Sequence, residues 1–526
     1  MQQKLVLKVS PAEASNKLFL KKVIASALGK EQDEISGYHI LKRSIDARAK
    51  TTWFNLSLHV FINEPFLERQ LFQFNFAEVS NANKTVVIIG AGPSGLVAAL
   101  TLLEHGIKPI ILERGKDVRA RRRDLAILNK EGLINSDSNY CFGEGGAGTY
   151  SDGKLYTRSN KRGDIDRILH LFVHFGAEEN ILFDAHPHIG TNKLPQIITA
   201  MRMQIIACGG TFLFEKKVTD IITTCDKVCA VRTDDGDVFQ ADAYILATGH
   251  SARDIFELLA AKNITLEARP FALGVRIEHP QTLIDQIQYH CAKRNEFLPP
   301  ASYSLVQQVE EKGVFSFCMC PGGIIAPAAT AENELVVNGW SPSKRNNPFA
   351  NSGIVVQVEQ EDAYRSLQND GVQIAASSPL LMLHFQRSIE RKAFIAGGGK
   401  FVAPAQRMAD FTNNKLSASL PKCSYVPGIH SASLREILPP FISERLSVAF
   451  KYFGKKMKGY LTNEAVVVAT ESRTSSPVRI PRDAQKLNHV QLSNLYPCGE
   501  GAGYAGGIVS AAMDGERVAR MIVQKL

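Results

Sequence analysis

One stretch near the start of the chain strongly limits the folds that it can adopt. Residues 85–89 are a short apolar run rich in β-branched side chains, residues 90–95 read GAGPSG, and an apolar run of helical length follows. A second apolar run then ends at Glu113. A buried strand, a glycine turn, a helix and a second buried strand make up a βαβ unit. The sequence therefore predicts an α/β fold with a parallel sheet from about residue 85.

The glycine turn has the spacing of a dinucleotide-binding loop. In this pattern Gly90 permits the tight turn, Gly92 lets the backbone approach a pyrophosphate, and Gly95 lets the helix pack closely on the sheet. The free N–H groups and the dipole at the start of the helix favour phosphate. Glu113, 21 residues after Gly92, is placed to accept ribose hydroxyls. A strand-to-helix turn without a ligand is the alternative, and the agreement of all these parts favours binding.

Two further GxGxxG matches lack this context. Residues 143–148 have no evident strand before them and no helix after them. Residues 501–506 precede a helix, but the chain ends before a second strand with an acid. Because a bare glycine match is weak without flanking structure, neither predicts a second nucleotide domain.

Changes of pattern along the chain predict four segments. Residues 1–82 are a small N-terminal α+β domain with one alternating strand, a helix and two more strand-like runs. Residues 83–268 are the first part of the nucleotide-binding domain and end in a β-meander between residues 210 and 249. Residues 269–470 are a mixed α+β substrate or cap domain, and residues 471–526 close the nucleotide-binding domain with a strand, a glycine turn and a helix.

Composition limits the class of protein. A chain of 526 residues with 45% hydrophobic and 21% charged residues is neither disordered nor a small disulfide scaffold. The net charge of +9 permits a polyanionic partner but fits an anionic cofactor equally well.

The cysteines and the apolar stretches carry further exclusions. Nine cysteines include no CxxC pair and no spacing of zinc ligands, so we predict no metal site. The odd cysteine count and the lack of a basic-then-apolar leader predict a cytoplasmic location. The two long uncharged stretches are interrupted by Gly and Pro, so we predict no membrane span.

Four segments carry a resemblance to a known group. Residues 86–115, 143–155, 244–254 and 495–519 resemble, in this order, the glutathione-reductase-like flavoproteins. The chain is more closely similar to the uncharacterised FAD-dependent dehydrogenases related to them. The resemblance covers most of residues 85–526, is poor in the middle, and extends to the N-terminal unit only for the narrower group. It implies FAD as the cofactor and a Rossmann-like FAD-binding domain of the glutathione-reductase type with an inserted substrate domain.

The resemblance also implies roles for individual residues. The first glycine turn would hold the pyrophosphate, Glu113 the adenosine ribose, and the Val218 backbone the adenine. Glu500 would lie beside the ribityl chain, where aspartate is commoner, and residues 506–508 at the pyrimidine end of the ring. An arginine in the run 121–123 would neutralise phosphate, or the run is simply a solvated helix face. The cofactor-binding positions predicted in this way are Gly90, Gly92, Pro93, Ser94, Gly95, Glu113, Arg114, Arg122, Gly146, Gly148, Val218, Thr248, Gly249, Gly499, Glu500, Gly506, Gly507 and Ile508.

Two features of the flavoprotein group are missing. No CxxxxC follows the first helix, so we predict no redox-active disulfide of the disulfide-reductase kind. No separate nicotinamide domain is evident, so NAD(P)H, if it is the electron donor, would visit the flavin transiently.

The middle segment supplies the candidate catalytic residues. Cys318 and Cys320, two apart in a strand, share one face and would offer a thiolate to a substrate, or are simply buried core residues, which is the favoured alternative. Lys154 and Arg473 are candidate anchors for an anionic substrate, with surface or phosphate-side roles as alternatives. We assign no catalytic base.

The sequence leads to one main function and one alternative. The main prediction is an FAD-dependent oxidoreductase, dehydrogenase-like, acting on a small organic substrate between the FAD domain and residues 270–470. The alternative is an RNA-binding or RNA-modifying flavoprotein, because Lys42, Arg43, Arg48 and Lys50 bring positive charge near two aromatic residues. The favoured alternative is that these residues form a solvent-exposed strand edge, whose charges prevent pairing with another chain. The sequence predicts neither the substrate nor the oligomeric state.

Overall fold

The N-terminal unit is a three-stranded antiparallel sheet with two helices, in a computed structural model that describes residues 1–157 and 163–526. The strands lie in the order β1-β3-β2. Leu56, Leu58 and Val60 alternate along the central strand and are buried, as a sheet with one covered face requires. The elements are β1 Gln2–Val9, α1 Pro11–Ser15, α2 Lys17–Leu28, β2 Ile35–Asp46 and β3 Trp53–Ile62.

A five-stranded parallel sheet follows and contains the predicted βαβ unit. Its strand order is β22-β10-β4-β5-β6, so the last strand of the chain completes the sheet. The elements between residues 85 and 268, including those outside this sheet, are β4 Thr85–Ile89, α3 Pro93–Glu104, β5 Lys108–Leu112, α4 Val118–Glu131, α5 Ile165–His174, α6 Leu194–Ala207, β6 Thr211–Leu213, β7 Val218–Thr224, β8 Lys227–Thr233, β9 Val238–Phe239, β10 Ala243–Leu246, α7 Arg253–Ala261 and β11 Glu267–Ala268.

The β-meander is shorter than the sequence predicts. Only β7, β8 and β9 form the antiparallel meander, whereas β6 and β10 join the parallel sheet beside β5 and β4. A short apolar strand has the same residue pattern in either sheet, and the backbone pairing that separates the two is invisible in the sequence. All four residues of β10 are buried, as expected for a strand covered on both faces.

A seven-stranded mixed sheet occupies the middle of the chain. Its order is β13-β14-β17-β12-β20-β18-β19, with β12 and β17 paired over ten residues. The elements are β12 Phe271–Pro280, α8 Gln281–Tyr289, β13 Val306–Val309, β14 Lys312–Cys320, β15 Ile324–Pro327, β16 Val337–Trp340, β17 Phe349–Val358, α9 Gln360–Asn369, α10 Leu381–Ala396, β18 Ala403–Arg407, α11 Met408–Thr412, β19 Ile429–Ser431, α12 Leu434–Ile437, α13 Pro440–Lys456 and β20 Val466–Glu471.

The closing segment returns to the parallel sheet. Its elements are β21 Val478–Arg479, β22 Leu495–Pro497 and α14 Ile508–Lys525. The long helix α14 packs beside α3, with Gly515 against the Ser94 backbone, where a Cβ atom would overlap the Ser94 carbonyl oxygen. The strand, glycine turn and helix predicted for this segment are therefore present. The domain boundaries at residues 82, 268 and 470 remain predictions.

The N-terminal unit is docked through the outer edge of β2. The Arg43 N–H donates to the Phe183 carbonyl at 2.8 Å, and the Ala185 N–H donates to the Arg43 carbonyl at 2.9 Å. The Arg43 guanidinium also donates to both oxygens of Asp184, at 2.7 and 2.9 Å. Arg48 pairs with Asp46 within the unit. Two of the four basic residues considered for RNA binding are thus engaged inside the chain.

The segment that pairs with the edge of β2 continues to the stretch of chain that carries Lys154. His188 and Lys154 form an antiparallel β-bridge through their backbones. The Leu155 N–H donates to the Pro187 carbonyl at 2.9 Å. The Ile189 N–H donates to the Gly153 carbonyl at 3.1 Å. Residues 183–190, named the docking segment, therefore pair with β2 at one end and with residues 153–155 at the other.

In the part of the chain that the structure describes, no helix combines the length and the apolar character needed to cross a membrane.

Candidate active site

One cavity of about 400 Å³ lies at the carboxyl ends of β4 and β10 and extends to β14. This volume falls within the range of about 300–1,000 Å³ that is usual for small-molecule sites. The predicted site residues that line it are Gly90, Gly92, Pro93, Ser94, Glu113, Arg114, Gly146, Gly148, Lys154, Val218, Thr248, Gly249, Cys318, Arg473, Glu500, Gly506, Gly507 and Ile508. Gly95, Gly499, Cys320 and Arg122 do not line it. The two glycine turns, which are over 400 residues apart, thus open into one space.

The first glycine turn is shaped by its backbone. Gly90 has φ +105°, and a Cβ atom there would lie 2.5 Å from the Ala247 carbonyl oxygen. A Cβ atom on Gly95 would overlap the Gly90 carbonyl oxygen, so Gly95 is needed for packing. A Cβ atom on Gly92 would meet nothing within 4 Å, because this residue faces the cavity. Helix α3 begins here without a side-chain cap, so its first N–H groups are available to an anion.

Glu113 holds three loops together at this end. Its Oε1 accepts the N–H groups of Gly115 and Gly143, each at 2.9 Å. Its Oε2 accepts the Ala91 N–H at 2.9 Å. Each carboxylate oxygen has about two acceptor positions, so Oε2 retains one for a ligand hydroxyl. The structure therefore leaves room for one ribose contact where the sequence predicts two.

The arginines beside this end differ in their roles. Arg121 is fully buried and donates to the carbonyls of Asn139 and Glu144, both at 2.8 Å. Its neighbour Arg122 is exposed and away from the cavity lining. Arg114 lines the cavity, with its guanidinium 4.2 Å from the centre of the Phe142 ring. Arg114 is therefore the better placed of these cations to meet a ligand.

The second glycine turn is fixed by a buried ion pair. Asp514 accepts the Gly499 N–H at 2.8 Å and pairs with Arg482 at 2.6 Å. Helix α14 begins immediately after Gly507, again without a side-chain cap. A Cβ atom on Gly506 or Gly507 would meet nothing within 4 Å. The start of a second helix is thus open to the same cavity and favours negative charge there.

Glu500 and His250 face each other at 3.8 Å between Oε1 and Nε2. Burial, and secondarily the Cys318 sulfur, raise the pKa of Glu500 to about 7. Burial, together with Arg473 and Arg253, lowers the pKa of His250 to about 4. The imidazole is therefore neutral at pH 7, and its buried Nδ1 has no hydrogen-bond partner among the residues that the structure describes. Sequence analysis did not identify His250, although it directly follows the predicted Gly249.

Lys154 meets both candidate cysteines at the β14 end. Its Nζ lies 3.9 Å from each of the Cys318 and Cys320 sulfurs and donates to the Met319 carbonyl between them. Asp152 is 3.8 Å from the same nitrogen. Burial favours the neutral amine, but the two sulfurs and Asp152 together raise the pKa of Lys154.

Arg473 is held by buried carboxylates. Glu390 lies 3.2 Å from its guanidinium, and Thr330 accepts a hydrogen bond at 2.9 Å. Arg253 pairs with the same Glu390 at 2.7 Å and with Glu334 at 2.8 Å. Lys154 and Arg473 therefore both reach the cavity, but each already has an anionic partner. Their role as substrate anchors remains a prediction.

The arrangement fits an elongated dinucleotide that carries a redox ring. Uncapped starts of α3 and α14 lie at two places along the cavity, Gly92 and Gly506 leave the space that a ligand would fill, and a carboxylate lies at one end. Helix starts and glycine loops are the usual cradle for a pyrophosphate.

Family models match three parts of the chain. Residues 84–264 match the pyridine nucleotide-disulphide oxidoreductases, residues 270–474 match a C-terminal domain of FAD-dependent proteins, and residues 1–61 match a domain of unknown function. An uncharacterised protein of Clostridium beijerinckii is 39% identical over 524 residues, which covers 96% of each chain.

Several solved structures share a slight likeness. Tetracycline destructase Tet(51) is 13% identical, with 84% of this chain and 82% of that chain covered and a TM-score of 0.34. Glycine oxidase from Bacillus cereus is 14% identical, with 84% and 96% covered and a TM-score of 0.31.

Proposed function

Since the chain belongs to a family of FAD-dependent oxidoreductases, we propose that it moves electrons between FAD and a small organic substrate in the cavity, as a dehydrogenase does. Its relative in Clostridium beijerinckii is an uncharacterised protein. Bound FAD would supply a two-electron carrier, and the protein would choose the partner. The closer likeness to the glutathione-reductase type remains a prediction.

The proposal assigns the diphosphate to the first glycine turn. Gly92 and the first N–H groups of α3 would hold it, and Oε2 of Glu113 would accept one ribose hydroxyl. The Val218 backbone, which lines the cavity, would meet the adenine. The start of α14 after Gly507 would stabilise negative charge on the reduced ring.

Two side chains near the second glycine turn would bind, release or orient protons. Glu500, with its pKa raised to about 7 by burial, can hold or release a proton at neutral pH. The neutral imidazole of His250 would orient that carboxyl or a substrate hydroxyl. NAD(P)H as a transient electron donor is part of the proposal, and its test is flavin bleaching on addition of NADH or NADPH without oxygen.

One observation carries this proposal. A single cavity joins the first glycine turn with Glu113 to the start of α14, and it ends among Lys154, Cys318 and Glu500. A dinucleotide in this cavity would have its phosphates at a helix start and its other end among titratable groups.

The test is the flavin content of the purified protein. We expect a yellow protein whose absorbance bleaches with dithionite. Gly92→Ala adds a methyl group only where the ligand would lie, so we expect a folded protein whose FAD binding is weaker by at least about tenfold, which is ~1.4 kcal/mol.

A matched variant controls for added bulk. Gly313→Ala places a methyl group in β14 at ordinary contact distance, with its nearest neighbour at 3.8 Å, away from the cavity lining. It should bind FAD as the unmodified protein does. A colourless protein that takes up no added FAD, or Gly92→Ala binding as tightly as Gly313→Ala, would refute the proposal.

A further inference from the structure

The end of β14 departs from regular strand geometry at its two cysteines. Its pairing with β17 shifts register between Phe317 and Cys320, and Cys318 has φ +47°. In an extended strand, Cα atoms two residues apart are about 6.6 Å apart. That distance is at the upper limit of about 6.8 Å for a disulfide. The register shift and the positive φ therefore occur at Cys318, where a regular strand would keep the two Cα atoms near the upper limit for a disulfide.

The irregular strand end gathers both sulfurs around one cation. Lys154 Nζ is 3.9 Å from each sulfur, and the Cys320 thiol donates to the Cys318 carbonyl at 3.3 Å. The Arg276 guanidinium adds a second positive charge, with a hydrogen bond to the same carbonyl at 3.3 Å. Both cysteines are free thiols. Both sulfurs thus lie beside the Lys154 ammonium, and a neighbouring lysine is one setting of reactive cysteines. Glu471 compensates the charge of Arg276 at 2.6 Å.

The two thiols differ in charge and in access. A side-chain hydrogen bond from Cys320 to the Cys318 sulfur, together with Lys154 and Arg276, lowers the pKa of Cys318 well below its ordinary value. The same hydrogen bond and burial raise the pKa of Cys320. Cys318 lines the cavity, whereas Cys320 is fully buried behind it. The sulfur with the lowered pKa is therefore the one that lines the cavity, and the other is a buried thiol.

We propose that Cys318 and Cys320 are a redox-active pair that reduces a disulfide substrate entering the cavity. The proposal deepens the proposed function, because it names the substrate class of the same cavity. Cys318 lines the same cavity as the start of α3, and the exchange itself needs no bound cofactor.

The exchange balances in two steps. The Cys318 thiolate forms a bond to one sulfur of the substrate disulfide, the substrate bond breaks, and its other sulfur leaves as a thiolate that takes a proton from water. Cys320 then attacks the Cys318 sulfur, the bond from Cys318 to the substrate sulfur breaks, and the Cys320 proton passes to that sulfur, which leaves as the second substrate thiol. The substrate gains two electrons, and the pair loses two and becomes an intramolecular disulfide. Lys154 stabilises the thiolate at both steps.

The test uses full-length protein and an aromatic disulfide, 5,5′-dithiobis(2-nitrobenzoate), whose released thiolate is coloured. The exposed Cys225 and Cys229 are first changed to serine to lower the background. We expect two coloured thiolates released per pair and no label retained on the peptide that contains residues 318–320. The peptide that contains residues 318–320 should become lighter by two hydrogen atoms, reversibly with dithiothreitol.

Single variants separate the two sulfurs. Cys320→Ser should trap a mixed disulfide on Cys318, and Cys318→Ser should abolish both the label and the disulfide. Lys154→Gln should slow labelling at pH 7 by about tenfold, with a smaller difference at high pH, where the thiolate forms without help. Retention of two labels by the unmodified pair, or equal labelling of Cys318→Ser and Cys320→Ser, would overturn the proposal. Flavin absorbance of the same samples reports on FAD binding separately, so the two failures are distinguishable.

Discussion

The two ends of the cavity are built in different ways. The α3 end is made mostly of backbone, with Gly90, Gly92 and the first turn of one helix within a few residues of each other. The β14 end is made of side chains from distant parts of the chain, among them Lys154, Cys318 and Glu500. The first end is limited by space at Gly90 and Gly95, where an added Cβ atom would collide with a backbone carbonyl oxygen. The second is limited by charge, because its buried ionic groups must compensate one another.

The largest expected effect tests the charged end. Arg253→Met removes the partner that bonds Glu334 at 2.8 Å and Glu390 at 2.7 Å, and so leaves buried carboxylates under-compensated. We expect the free energy of unfolding to fall by about 3–5 kcal/mol, measured by urea denaturation. Arg387→Met is the matched control, since Arg387 reaches the same Glu334 from a more exposed position, and it should cost about 1 kcal/mol or less. Equal losses in the two variants would contradict the expectation that the more deeply buried arginine matters more.

The next effect tests the end that is limited by space. Gly95→Ala places a Cβ atom onto the Gly90 carbonyl oxygen, so the turn must move. We expect a loss of about 1–3 kcal/mol in urea denaturation, because packed regions absorb extra atoms poorly. Gly506→Ala, whose added atom meets nothing within 4 Å, should change stability by less than about 0.5 kcal/mol. The comparison fails if the two alanines cost the same.

A smaller effect concerns pH at the charged end. Burial raises the pKa of Glu500 from 4.5 to about 7, so the folded protein keeps a proton that the unfolded chain releases between these values. Stability should therefore fall as pH rises from about 4.5 to 7. Glu500→Gln cannot ionise, so its stability relative to the unmodified protein should rise by about 1–2 kcal/mol across this window. Thermal unfolding of FAD-free samples at several pH values measures it, and parallel pH curves would contradict it.

The smallest effect tests whether the ligand-binding surface at the α3 end includes Arg122. Arg122 is exposed and outside the cavity lining, so Arg122→Ala should change stability by less than about 0.5 kcal/mol and leave FAD affinity unchanged. A titration with FAD provides the measurement. A tenfold loss of affinity would instead support the phosphate contact that the sequence predicts for this arginine.

The sequence predicts the α3 end well because that end is local. The strand β4, helix α3, strand β5 and Glu113 are consecutive, so spacing alone places them. The pairing of β6 and β10 was not predictable from the sequence, because a short apolar strand looks the same in a meander and in a parallel sheet.

The charged end depends on contacts that no local pattern contains. The Arg253 to Glu390 pair spans 137 residues, and His250 acquires its lowered pKa from burial and from Arg473. The two cysteines were predicted to share a strand face by alternation, but the register shift and the positive φ of Cys318 arise from tertiary packing. Their meeting at Lys154, 164 residues earlier than Cys318, was likewise outside the reach of spacing arguments.

The docking segment connects the N-terminal unit to the stretch of chain that carries Lys154. Residues 183–190 pair with β2 at one end and with the stretch that carries Lys154 at the other. Deleting the first 62 residues would therefore leave Asp184 without its arginine and one side of this ladder without support. A truncated protein that still bound FAD could nevertheless hold its lysine less firmly, so shortening the chain for convenience would alter the reactive end first.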